Sequence, residues 1–167
     1  MKNVLAVLIL LMTIPFALGQ TPVIQSATVT DYGMYAFDTQ TVRTVEGGVE
    51  QRYVNNVRQI STTRIVPFPK PGEQIHFGFH YTINGSPVST PVTVRNVVIY
   101  PKQLNINGTL MPQNESTIER KIGYTYYRGF TIDSDDKNML VPGDWTFEVW
   151  YGTQKLTSQT FTLVEGK

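Results

Sequence analysis

The sequence predicts an all-β fold, an antiparallel sandwich with a closed β-barrel as the alternative, on three observations. Apolar and polar residues alternate with period two along most of the chain after residue 19. Glycine- and proline-containing turn sequences fall between the alternating runs. No stretch there carries the 3.6-residue periodicity of an amphipathic helix. Many short strands at near-regular spacing, punctuated in this way, are the pattern of sandwiches and barrels.

The elements, eight or nine strands, follow in order. Strands are expected over 23–30 and 33–38, then over 41–46 and 49–60, with Gly47-Gly48 closing a hairpin between the last two. Pro67, Pro69 and Pro71 make a stiff connector. In the strand over 74–83, Ile75, Phe77, Phe79, Tyr81 and Ile83 share one face, with His76, Gly78, His80 and Thr82 on the other. Asn84-Gly85 suits a type I′ turn, which needs positive φ at both central residues. A strand over 91–100 follows, then the longest irregular candidate, 101–114, read as a surface excursion, then a strand over 122–132. Pro142-Gly143-Asp144 introduces the strand over 144–151, where Trp145, Phe147, Val149 and Tyr151 oppose Thr146, Glu148 and Trp150. Gly152-Thr153-Gln154 turns the chain into 155–164, where Phe161 and Leu163 alternate with threonines.

Residues 1–19 read as a secretory signal peptide: Lys2 at the start, an apolar run over 4–16, then small residues at Ala17 and Gly19. That run is shorter than the roughly 20 residues a membrane-spanning helix needs, so no membrane span is expected after cleavage. The expected mature chain is a single domain over 20–167, periplasmic or secreted. With Lys2 removed it carries 13 basic and 13 acidic residues. Such a neutral balance offers no field for a polyanion, so nucleic acid is not an expected partner. The absence of cysteine excludes a disulfide scaffold, a thiol nucleophile and a thiolate metal site, and points to a bacterial source.

Certain residues carry a family resemblance. They are Gly33-x-Tyr35, Thr63-x-Ile65-x-Pro67, Gly72 ahead of Phe77-Gly78-Phe79, and the tail Gly143-x-Trp145-x-Phe147-x-Val149, Gly152, Leu156 and Phe161. The tail resembles the last hairpin of bacterial immunoglobulin-like domains. The whole set, over 23–164, resembles a bacterial family of small exported proteins known only as a domain of unknown function, the one numbered thirty-eight fifty-nine. The resemblance implies an immunoglobulin-like β-sandwich. It implies no activity, and no catalytic residues are carried over with it.

Reactive constellations are sparse. His76 and His80 share a strand face but lie roughly 13 Å apart at about 3.3 Å per residue, too far to share one metal ion, and are read as solvent-facing. Residues 133–138 begin like a calcium loop, yet Lys137 stands where an oxygen donor belongs and Asn138 where glycine belongs. No nucleophile elbow or zinc-protease motif occurs. No metal or other cofactor is therefore expected. The aromatic residues are the most suggestive feature. If Trp145, Phe147 and Val149 face the core, Trp150 and Glu148 face outward, and Tyr127 lies opposite Tyr124 and Tyr126 on its own strand. These three, Trp150, Glu148 and Tyr127, are the candidate binding residues, for a glycan or protein partner. The expected function is a non-enzymatic binding module acting through outward aromatics or an exposed edge strand. The alternative is a small hydrolase acting on a cell-envelope or glycan substrate, which requires a histidine in contact with a carboxylate or serine.

Overall fold

The computed structural model describes residues 21–44, 50–106 and 109–166. The segment read as a signal peptide and the expected Gly47-Gly48 turn lie outside them. Among the described residues there is no helix and there are eleven strands: β1 (Val23–Ala36), β2 (Thr39–Thr44), β3 (Glu50–Asn55), β4 (Arg58–Ser61), β5 (Ile65–Pro67), β6 (Gln74–Ser86), β7 (Pro91–Ile106), β8 (Thr109–Lys121), β9 (Thr125–Asp133), β10 (Gly143–Tyr151) and β11 (Gln154–Val164). Eleven replaces the eight or nine expected.

The strands form a four-stranded sheet in the order β4-β1-β6-β9 and a five-stranded sheet in the order β5-β11-β10-β7-β8, with β2-β3 as a separate pair. The two main sheets have no hydrogen-bonded strand in common, so the fold is a sandwich and not a closed barrel. All pairings are antiparallel except β5 with β11. The alternation read from sequence sets the inner faces. Phe77 of β6 lies edge-on to Phe147 of β10 at 5.7 Å and Phe161 of β11 at 5.5 Å, with Trp145 6.4 Å away, and these rings carry the core between the sheets. The Trp145 indole donates to the Val141 carbonyl at 3.0 Å, so the largest buried side chain leaves no polar atom unpaired.

Several boundaries differ from expectation for local reasons. The first two expected strands are one, β1, which passes through Gly33 at φ +144°; a Cβ there would lie 1.9 Å from the Ser61 carbonyl oxygen. The expected 49–60 strand breaks at Asn56, in the left-handed region at φ 53°, into β3 and β4. Leading into the proline connector, Ile65–Pro67 pairs in parallel with β11. Asn84-Gly85 is not a turn: both lie within β6, opposite Ser26 and Ile24, and the chain reverses over 87–90. The expected excursion over 101–114 is instead part of the long β7-β8 hairpin. β8 alternates only weakly because, although Ile118 faces buried Val94, the positions facing buried Val98, Asn96 and Val92 are polar: Asn114, Ser116 and Arg120.

Candidate functional site

The outer face of the four-stranded sheet carries the densest polar arrangement. Register across β1, β6 and β9 aligns three rows: Asp31, His80 and Tyr127; Gly33, Gly78 and Gly129; and Tyr35, His76 and Thr131. The middle row has no side chains, which leaves a trough across three strands. Tyr127 lies over it from one side, so that a Cβ on Gly129 would lie 2.0 Å from the Tyr127 hydroxyl. Tyr35 reaches across from the other side and its hydroxyl donates to Asp31 Oδ1. The Tyr35 and Tyr127 rings meet at 4.9 Å, and each lies 5.3 Å from the His80 ring. Tyr35 is only 1 % exposed although it stands on an outer face.

His80 Nδ1 lies 2.7 Å from the same Asp31 oxygen. Asp31 therefore accepts two hydrogen bonds on one atom. Burial works to raise its pKa, but the bonds from Tyr35 and His80 and the His80 charge outweigh burial, so the carboxyl is held below its ordinary value. Burial, then the neighbouring Asp31 carboxylate, pushes the Tyr35 phenol well above its ordinary value. Burial does the same to Tyr127, whose hydroxyl has no hydrogen-bond partner among the described residues. The histidines are half-buried, which corrects the expectation that they face solvent. His76 packs on Phe37 with ring centroids 3.8 Å apart and contacts Thr131 Oγ1 at 3.0 Å.

Trp150 and Glu148 do lie on the outer face of their sheet, the five-stranded one, as the alternation of β10 requires. There they form a closed cluster. The Trp150 indole donates to Glu148 at 2.8 Å, Lys155 donates to the other carboxylate oxygen at 2.8 Å, and Arg95 and Lys155 both stand over the indole. Glu148 is 8 % exposed. Tyr127 belongs to the other sheet, so the three candidate residues do not converge on one surface. A separate groove of about 490 Å³ runs beside β1, where Asp31 and Tyr32 face Gln59, Arg64 and Gln159. In the calcium-like segment, Asp133 and Asp136 accept bonds from main-chain amides of their own loop, and Thr162 donates to Asp144 at 2.7 Å. No group of three potential metal-ligating carboxylate or histidine side chains occurs among the described residues.

Compared with known families, residues 24–163 match the model described as "Domain of unknown function (DUF3859)". The chain belongs to the DUF3859 family. No curated protein matches it. Among solved structures, the DUF3859 domain is similar to an immunoglobulin-like protein from Pseudomonas aeruginosa, with a TM-score of 0.54 at 17 % identity over 87 % of this chain and 98 % of that one. An alkylpurine DNA glycosylase from Pseudomonas fluorescens, bound to DNA containing an abasic site analogue, gives a TM-score of 0.34 at 15 % identity over 61 % of this chain and 28 % of that one, a likeness too slight to bear on fold or activity. The immunoglobulin-like sandwich is thus the fold of this DUF3859 domain. Sequence reading passed over Asp31, and placed Tyr35 only in a structural motif. The alternation Asp31-x-Gly33-x-Tyr35, opposite Tyr32 and Met34, was the signal that could have placed them on one face.

Proposed function

We propose that this DUF3859 domain is an exported, non-enzymatic interaction module of a bacterial envelope, periplasmic or secreted, that binds an extended segment of a protein partner along β9. The character of the β9 edge carries this reading. β9 is the outermost strand of its sheet and pairs with β6 over nine successive positions without a bulge. It contains no proline and no lysine. Natural sheets ordinarily blunt such edges with prolines, charges, bulges or brevity. The other three outer strands of the main sheets are blunted in these ways. β4 has four residues and β5 three, while β8 carries Pro112, Glu115, Glu119 and Lys121. β9 carries two charges, the inward-pointing Arg128 and the terminal Asp133, and its edge otherwise supplies main-chain donors and acceptors for an added strand, with alternating side chains for specificity. Tyr127 on the outer face of β9 and Tyr124, 48 % exposed beside its start, would flank that strand.

The test is site-specific photo-crosslinking in a producing bacterium, with benzoylphenylalanine at Thr125 of β9, at Thr93 of β7 and at Trp150. Adducts to a protein from position 125 alone support the reading. Adducts from position 150 alone, to a glycan or a protein, would move the binding face to Trp150 and Glu148 and defeat it.

A second reading, a small hydrolase acting on an envelope or glycan substrate, is favoured by one observation, the contact of His80 with Asp31 beside the β1 groove. A carboxylate on Nδ1 is the arrangement that orients a histidine to act through Nε2. The hydroxyl bonded to this pair is that of Tyr35, and it donates to the carboxylate instead of facing the imidazole as a nucleophile.

A further inference from the structure

Inside the sandwich, two arginines project into the space between the sheets, one from an outer strand of each sheet. Arg128 of β9 stands opposite core residue Phe79, and its guanidinium lies 5.5 Å from the ring centre of buried Phe147. Arg120 of β8 stands opposite buried Val92 and lies 4.4 Å over the Tyr126 ring. Among the described residues neither makes an ion pair with a carboxylate; each has a long bond, 3.4 Å, to a main-chain carbonyl, and Arg120 also approaches the Tyr81 hydroxyl. The Nε atoms of both are buried and unpartnered.

Two buried phenols surround them. Tyr81 is 0 % exposed and Tyr100 is 6 % exposed; Arg120 approaches the Tyr81 hydroxyl and Asn114 that of Tyr100, but neither hydroxyl makes a well-formed hydrogen bond among the described residues. Both are within electrostatic reach of the arginines. Burial raises the Tyr81 pKa, while the charge and hydrogen bonding of Arg120 and then the charge of Arg128 pull it down; burial likewise raises Tyr100, with hydrogen bonding from Asn114 and then the Arg128 charge pulling it down. Burial lowers the Arg128 guanidinium to about 10, and the proximity of Arg120 contributes in the same direction. Two half-buried arginines whose Nε atoms are buried, without a carboxylate partner among the described residues and beside two buried phenols that lack a well-formed bond, constitute a costly arrangement for a core to retain.

We propose that the inter-sheet space bordered by β8 and β9 is a binding site for a doubly charged tetrahedral oxyanion, phosphate or sulfate in type, held by Arg120, Arg128, Tyr81 and Tyr100. Two guanidinium groups match its charge, and their N–H groups together with two phenolic hydroxyls supply donors enough for all of its oxygens. The site lies within the sandwich and is independent of the partner proposed for the β9 edge.

The experiment is titration of the purified protein with inorganic phosphate at constant ionic strength, followed by thermal denaturation and by calorimetry. The wild type is expected to show a saturable rise in Tm. Arg128→Met and Arg120→Met are expected to lose it, with Kd raised about tenfold or more. Absence of a saturable rise in the wild type, or an equal rise in Arg128→Met, would overturn the proposal. Should the arginine variants fail to fold, Tyr81→Phe, which removes only the hydroxyl, decides: weaker phosphate binding supports the site and unchanged binding refutes it.

Discussion

His80 Nδ1 lies 2.7 Å from Asp31 Oδ1, across a strand pair whose register shifts just before Asp31. The bulge re-aims the carboxylate onto the outer face, where Tyr35 also donates to it. One acidic side chain thereby ties β1 to β6 and orders a cluster of three rings.

That tie has a pH signature. The Asp31 pKa is lowered in the folded protein, so its contribution to stability is present above the unfolded carboxyl value and is lost as pH falls through the folded one. The urea midpoint of the wild type should exceed that of Asp31→Asn at pH 5, and the difference should shrink as pH falls below about 4. A difference that stays constant to the acid limit would mean that Asp31 stabilises by other means.

Gly33→Ala should destabilise by about 1–3 kcal/mol in urea denaturation, because φ +144° strains an alanine and its Cβ meets the Ser61 carbonyl. A neutral substitution would contradict the close approach of β4 to β1.

Tyr127→Phe should leave stability unchanged or raise it by up to about 1 kcal/mol, since the hydroxyl removed is buried without a partner. A loss above about 1 kcal/mol would reveal a bond to that hydroxyl, and the same denaturation curves decide it.

Trp145→Ala should cost about 3–5 kcal/mol as a core truncation. Trp150→Ala should cost less, about 1–2 kcal/mol, chiefly by withdrawing one donor from the buried Glu148 carboxylate. Equal losses would contradict the opposite facing of these residues in β10.

Much of this was legible in the sequence where alternation was strong. The faces of β10 and β6 follow directly from their aromatic spacing. Legibility failed where tertiary pairing overrode local chemistry. Asn84-Gly85 has the composition of a turn, yet β1 pairs alongside and keeps it extended, with Gly85 close to the Val23 carbonyl. β8 escaped notice because Arg120 and its polar neighbours face inward. The Asp31 cluster escaped because it depends on a bulge and on contacts between residues 49 apart.

The claim that β9 is an open edge is tested most directly by amide hydrogen exchange of the purified protein, resolved by residue with NMR. The account predicts alternation along Thr125–Asp133, with amides directed at β6 exchanging slowly and those directed outward exchanging fast. Uniformly slow exchange along β9 would contradict it, because the edge would then already be covered.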